Sequence, residues 1–337
     1  MVSIVIPIYN GKEYIKQAIL SAKAQTYSNL EIIVIDDGST DGIDEKYIAD
    51  IDKSVIFHTK DNEGLGETRN LGIELANGDY IFFLDADDTL PRRAIELLRN
   101  SIDKNDFSIG RCKRVYLDKN ANIYKEQIWK KDLYKRDKNK YNLIVDTIAT
   151  NKLYKKSFLL QNGIKFLKGL YEDKLFVLKL FENTDNFNFI NEIVYYWHVY
   201  YNSSSISNAI TIPKLVEKMS VNRECIAYTK DEKLRCVLVD NIIKHDFKVS
   251  INEVNSYTEE DIEKLYYIYR EFICSYDKYI NHNNYFVDRI IVDNIENKDL
   301  TIREFKSISR ENSTRNICIK IKKYMRYSYY FLRIKLL

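Results

Sequence analysis

Proline is nearly missing from this chain of 337 residues, with only Pro7, Pro91 and Pro213 present. Glycine is sparse too, and none follows Gly169. No low-complexity tract or internal repeat is visible. The five cysteines, Cys112, Cys225, Cys236, Cys274 and Cys318, are far apart and odd in number. No pair has metal-ligand or disulfide-framework spacing, so a reducing cytoplasm is expected. No run of 18 apolar residues occurs, which excludes a good transmembrane segment. The N-terminus enters an apolar run without a basic leader region or cleavage site, so no signal peptide is expected. A formal net charge of +3 gives no overall nucleic-acid signature, and nucleic acid is not an expected partner. Gly-x-Gly-x-x-Gly is absent after the first strand, which removes a dinucleotide-binding Rossmann unit.

What is present is enough for a substantial core: hydrophobic residues make up 45% of the chain. The length suggests two domains, or one with a large extension. The 27 tyrosines suit half-buried packing or the faces of sugar rings. The first hundred residues alternate between strand and helix patterns. Val2 to Ile8, Leu30 to Ile35 and Tyr80 to Leu84 are continuous apolar runs, and Ser54 to His58 is a short strand. Lys12 to Gln25, Ile43 to Ile51, Gly66 to Ala76 and Pro91 to Ser101 read as helices. Thr89 lies near the cap of the last, with Pro91 in its first turn. Buried strands separated by helices imply an α/β fold with a mostly parallel sheet covered on both faces. Asp106 to Trp129 holds shorter, strand-like stretches. Asn151 to Asn162 and Glu172 to Asn183 read as helices, and Ile193 to Tyr200 as a strand. Beyond about Ile210 long helical patterns dominate, such as Glu259 to Tyr279, with a boundary expected near Ser207 to Pro213.

Ligands of such sheets bind beyond the carboxyl ends of the strands. Two acidic segments lie there, Asp36-Asp37 and Asp85-Ala86-Asp87-Asp88. Asp85 and Asp87 are two apart, so in extended geometry both carboxylates point to one side. Like charges so placed call for a cation or a shared proton. A divalent metal held with substrate phosphates is the usual solution, and a helix-capping acid cluster is the plain alternative. Asp37 stands in a turn and can accept hydrogen bonds from a base or ribose. Arg69 can pair with a diphosphate or buttress an acid. Glu172 and Asp173 open a helix, where acids favour the dipole, or can deprotonate a hydroxyl. His198 on an aromatic strand is structural, a metal ligand or a donor to phosphate.

The order and spacing of these segments resemble the family-2 glycosyltransferases of the GT-A fold. Val2-Ser3-Ile4-Val5-Ile6-Pro7-Ile8-Tyr9-Asn10, Ile35-Asp36-Asp37-Gly38-Ser39, Asn62-Glu63-Gly64 and Thr68-Arg69-Asn70 carry the likeness. Phe83-Leu84-Asp85-Ala86-Asp87-Asp88, Asn151-Lys152-Leu153-Tyr154, Tyr171-Glu172-Asp173 and Tyr195-Tyr196-Trp197-His198 complete it, over about residues 1 to 207. The resemblance implies a GT-A domain over 1–209, with a nucleotide-binding half (1–105) and an acceptor-side half (106–209). A mainly helical C-terminal region then covers 210–337. It assigns Pro7, Tyr9, Asp37, Asn62, Arg69, Asp85 and Ala86 to a nucleotide-sugar donor, usually a UDP-sugar. Asp85 and Asp87, with His198, fall to the metal, Mn²⁺ or Mg²⁺. The catalytic base maps best to Asp173, with Glu172 as the other member of the pair. His198 departs from the family pattern, where many relatives have Arg.

The implied reaction is an inverting transfer of a hexosyl or N-acetylhexosaminyl group to a glycan or lipid-linked glycan, in surface polysaccharide or glycoconjugate synthesis. Two alternatives use the same residues. One is a haloacid-dehalogenase-like phosphatase with Asp85 as nucleophile and Asp87 as acid. The other is a non-catalytic nucleotide-sugar-binding subunit. The segment from Ile317 to Leu337 carries Lys320, Lys322, Lys323, Arg326, Arg333 and Lys335 without an acid. Read as a basic amphipathic helix, it suits a peripheral site on the inner face of the membrane, or a packing or homo-oligomer contact through 210–337.

Overall fold

The computed structural model describes residues 1–118, 120–130, 138–200, 211–247 and 257–280. The chain divides into two compact units, Met1–Ser205 and Ile206–Leu337.

The first unit is an α/β fold around one eight-stranded sheet. Strands β1 (Val2–Ile8), β2 (Leu30–Asp36), β3 (Ile56–Thr59) and β4 (Tyr80–Phe83) alternate with helices α1 (Ile15–Lys23), α2 (Glu45–Ile51) and α3 (Leu65–Leu75). Helix α4 (Ala94–Ile102) follows, then β5 (Phe107–Leu117), β6 (Ile123–Ile128), α5 (Lys140–Leu143) and β7 (Lys152–Lys155). Helices α6 (Lys156–Gln161) and α7 (Glu172–Asn183) precede the long β8 (Phe187–Tyr200). The sheet order is β3-β2-β1-β4-β7-β5-β6, with β8 paired to β5. The β3-β2-β1-β4 portion is parallel throughout. Beyond it β7 joins antiparallel to both β4 and β5, while β8 runs parallel to β5.

All seven residues of β1 are buried. That follows from helices on both faces, since successive side chains of a strand point opposite ways. Ile4 and Ile6 join Ala18 and Ile19 of α1, Val34 and Phe82 in one core. Val5 points to the other face, where α3 lies so close that a Cβ on Gly72 would sit 2.2 Å from Val5 Cγ1. Aromatic rings fill that side: Phe166 and Phe176 stack at 3.8 Å, and Phe83 meets Phe166 edge-on at 5.2 Å. The core thus clamps the carboxyl ends of β1, β2 and β4, from which the acidic loops emerge.

Two expectations are corrected here. Asn151 to Asn162 is not one helix, because Lys152–Lys155 is a strand between β4 and β5, and the helix begins at Lys156. Lys152, Leu153 and Tyr154 are all buried, a both-faces pattern that four residues cannot distinguish from a helix. Likewise α4 starts at Ala94 with Arg93 at its cap, and Thr89 instead bridges antiparallel to Tyr196 of β8.

The second unit is helical where described. Helices α8 (Ile212–Tyr228), α9 (Glu232–Asn241) and α10 (Glu259–Tyr276) accompany a π-helical turn, Ile242–Phe247. Leu215, Met219, Phe247, Tyr269 and Phe272 form its core. Pro213 sits in the first turn of α8, where its missing N–H costs nothing. Thr258 and Asp261 close a capping box on α10. Among the described residues no helix is long and apolar enough to cross a membrane. The basic segment from Ile317 to Leu337 and most of the expected boundary lie outside the described residues.

Candidate active site

The loops after β1 and β2 are stitched together. Asn10 N–H donates to Ser39 Oγ at 2.8 Å, and Asn10 Oδ1 accepts from the Thr40 amide at 2.7 Å. The Lys12 amide donates to Asp41 at 2.8 Å. Asp36 holds the turn from beneath, accepting from the Ser39 amide and the Thr59 hydroxyl. Gly38 takes a φ of +74°, and a Cβ there would lie 3.0 Å from the Asn62 amide nitrogen. Pro7 is buried within β1, whereas Tyr9 beyond it is 54% exposed and Asn62 is also exposed.

Asp37 is 4% exposed. Its carboxylate accepts from Lys60 Nζ at 2.6 Å and from the amides of Glu63 at 3.0 Å and Gly64 at 2.9 Å. Burial pushes this carboxyl up, but Lys60 and the amides outweigh burial and hold it below its ordinary value. Asp37 is therefore an ionised anchor for the loop that leads into α3. Lys60, which follows β3, has no sequence signal beyond its place at a strand end.

Arg69 of α3 is 2% exposed and is the hub of the site. Its Nη1 donates to Glu172 Oε1 and to Asp173 Oδ1, both at 2.8 Å, and its Nη2 donates to Asp85 Oδ1 at 2.7 Å. The guanidinium also lies over the Phe166 ring, 5.3 Å from its centroid. Burial opposes the charge, but Asp173, Asp85 and Glu172 together raise its proton affinity well above normal. Of the two roles open to Arg69, the geometry supports the buttress, since its terminal nitrogens are committed to carboxylates. One cation thus joins the acids after β4 to the acids that open α7. Tyr171 at the cap of α7 has a φ of 62°, and no side chain caps the helix. Glu172 and Asp173 are 12% and 23% exposed, and both carboxyls are raised by burial, against the pull of Arg69. Asp173 Oδ2 accepts the Ala149 amide at 3.0 Å.

After β4 the acids diverge in role. Asp88, 3% exposed, accepts from the Tyr195 hydroxyl at 2.6 Å and from the His198 amide at 2.8 Å. It ties this loop to β8, a function its position in the acidic run did not announce. Burial, then Asp87 and Asp85, raise its carboxyl well above normal. Asp85 is a third exposed, and the Tyr195 hydroxyl also lies 3.1 Å from its amide. Ala86 is half-buried between the acids. Asp87 opens to solvent, and among the described residues no hydrogen bond or ion pair from another residue engages its carboxylate. Enough protein nevertheless surrounds it that burial, with Asp85, pushes it up to about 6. An unpartnered carboxylate beside a second one fits a hard divalent cation.

His198 packs against the same acidic loop. Its Nδ1 lies 3.1 Å from the Asp87 carbonyl, and its Nε2 lies 3.2 Å from Thr89 Oγ1. The tautomer that satisfies both donates from Nδ1 and accepts at Nε2. Burial lowers its proton affinity, which suits a neutral ring. Among the described residues no three His, Cys, Asp or Glu side chains form a metal-holding group. Asp85 and Asp87 remain as the carboxylates a metal and a diphosphate would share.

Residues 3–162 match the family model described as glycosyl transferase family 2. Through this segment the chain is similar to that family, and its first unit has the GT-A fold. It is similar to an uncharacterized glycosyltransferase of Haemophilus influenzae, 41% identical over 128 residues, which are 37% of this chain and 51% of that protein. Glycosyltransferase GlyG of Streptococcus pneumoniae is 28% identical over 212 residues, 58% of this chain and 69% of that one. This chain thus spans about half the length of the first of these relatives, and 18% of an uncharacterized glycosyltransferase of Rickettsia felis. The crystal structure of S. aureus TarS 1-349 superposes with a TM-score of 0.69 at 18% identity, covering 93% of this chain and 91% of that one. A second structure of the same TarS fragment holds UDP-GlcNAc.

Proposed function

We propose that the chain is a metal-dependent inverting glycosyltransferase that moves a sugar from a nucleotide diphosphate, UDP in the first instance, to an acceptor glycan hydroxyl. The observation that carries this reading is the Arg69 hub, which brings Asp85 and the Glu172-Asp173 pair to one guanidinium. The family match and the UDP-GlcNAc complex of TarS support the donor class. They weigh against the phosphatase alternative. Pro7, Tyr9, Asp37 and Asn62 would border the base, and Asp85 with Ala86 the ribose. Asp173 is the base: one oxygen is held by Arg69 and the other by the Ala149 amide. It takes the proton of the acceptor hydroxyl as that oxygen attacks the anomeric carbon, and the nucleoside diphosphate leaves from the opposite face. Asp87 and Asp85, with His198 beside them, would hold Mn²⁺ or Mg²⁺, which would neutralise charge on the leaving diphosphate. The acceptor class, a glycan or lipid-linked glycan, is part of the proposal. A screen of UDP-sugars read by UDP release tests the whole. Release with none of them, in the presence of Mn²⁺ and glycan acceptors, would remove the UDP-sugar reading.

The metal makes a separate prediction. EDTA abolishes transfer, and Mn²⁺ or Mg²⁺ restores it. Asp87→Ala loses activity but keeps its fold, because no partner is orphaned and repulsion with Asp85 is relieved. Full turnover after exhaustive chelation removes Asp87 from this role.

Asp37 tests the nucleotide. Asp37→Ala weakens UDP binding by about 1–3 kcal/mol, the cost of losing a buried acceptor. Lys60→Met keeps the carboxylate and separates direct contact from loop support. Calorimetry that finds unchanged UDP affinity in Asp37→Ala rejects the assignment.

A further inference from the structure

A buried cation that the mechanism does not use lies behind the base. Lys152 of β7 is wholly buried. Its Nζ donates to the carbonyls of Asp146 at 3.0 Å and Ile148 at 2.5 Å, and to Asn151 Oδ1 at 2.8 Å. The Asp146 carboxylate stands 4.0 Å away, itself wholly buried. It accepts from Asn151 Nδ2 at 2.8 Å and from Trp129 Nε1 at 3.3 Å. Next along, the Tyr154 hydroxyl donates to the Ala149 carbonyl at 2.7 Å. Three consecutive contacts, at the carbonyls of Asp146, Ile148 and Ala149, thus pin one short stretch of backbone from below. The amide of Ala149, on the same stretch, meets Asp173 Oδ2.

We infer that Lys152 and Tyr154 are positioning residues for the base: they fix the backbone of residues 146–149 so that the Ala149 amide holds the Asp173 carboxylate in its reactive orientation. A buried ammonium is costly unless several acceptors surround it, so its retention here marks a segment whose placement matters. This inference rests on Asp173 being the base. The groups that face Asp173 are Arg69 from α3, Asp85 after β4, Glu172 on its own helix, and Lys152 and Tyr154 from β7. Arg69, the Ala149 amide and Lys152 favour its ionised form, whereas burial and Asp85 oppose it. Removing Lys152, or loosening the amide, therefore raises the pH at which the base ionises.

The test uses the full chain and UDP release from whichever UDP-sugar it accepts. Lys152→Met and Tyr154→Phe each lower kcat roughly tenfold to hundredfold, the scale of a misplacement of about 1 Å. The donor KM and UDP affinity stay as in the parent, and the acidic limb of the kcat–pH profile moves to higher pH. Lys152→Met leaves three acceptors without their donor, so circular dichroism checks its fold. If it does not fold, Tyr154→Phe, which loses one hydroxyl, decides alone. Parent kcat and an unmoved acidic limb in the folded variants overturn the inference. A drop in kcat that is matched by a loss of UDP affinity also overturns it, because the defect is then not local to the base. Asp173→Asn is run in parallel. If that change is harmless, the assignment of the base has failed. If it is crippling while Lys152→Met and Tyr154→Phe are silent, only the positioning role has failed.

Discussion

Asp173→Asn lowers turnover roughly 10²–10⁴-fold, the usual general-base contribution. The change keeps the size of the side chain and one acceptor oxygen, so one of the contacts to Arg69 Nη1 or the Ala149 amide survives. It removes the basicity that an acceptor hydroxyl needs. UDP binding is retained, because Asp173 belongs to α7 and the nucleotide is assigned to the loops after β1, β2 and β4. Glu172→Gln is the control, since Glu172 shares the same guanidinium nitrogen at the same 2.8 Å. Steady-state turnover with calorimetric UDP affinity for both variants checks this. A crippled Glu172→Gln beside a mild Asp173→Asn reverses the assignment within the pair.

The other large effect belongs to Arg69. Arg69→Met leaves the carboxylates of Asp85, Glu172 and Asp173 near one another without their shared cation. Breaking a buried ion pair from one side costs about 3–5 kcal/mol, and three acids here lose the same partner. The sign with pH follows. Without the cation, Glu172 and Asp173, already raised by burial, have folded-state pKa values still further above their unfolded ones. The penalty is therefore full above those raised values and shrinks as pH falls and the acids protonate. Denaturant unfolding of parent and variant at neutral and mildly acidic pH measures it. Arg69→Lys does not restore turnover, because a point ammonium cannot span three carboxylates from two elements. A stability gap that widens as pH falls would contradict this account.

Much of the donor side was legible in the residues. β1, β2 and β4 are long or strongly apolar, and β2 and β4 lead into acids, so their pattern and the strand-end rule singled out Asp37, Asp85 and Asp87. The pairing of Glu172-Asp173 with Arg69 was not legible, although each residue was singled out. It depends on α7 returning to α3 across about a hundred positions, which periodicity cannot report. The misread helix at Asn151 to Asn162 hid β7, and with it the reason Lys152 is wholly buried. His198 lies beside the Asp87 carbonyl, and the contact of its Nε2 with Thr89 depends on the bridge from Thr89 to β8, which sequence pattern does not report. Asp88 was hidden by its neighbours: in a run of acids, nothing in composition separates the one that turns inward from the two that face the cleft.

The loops after β1 and β2 hold one more consequence. Asn10, Lys12, Ser39, Thr40 and Asp41 are bound to one another across the two loops, and Asp37 fastens the next loop through Lys60 and two amides. Their conformational freedom is surrendered when the chain folds, not when a nucleotide docks. If a nucleotide docks here as proposed, it would meet a rim already in shape, and discrimination among nucleotides would rest on how well a base fits that rim.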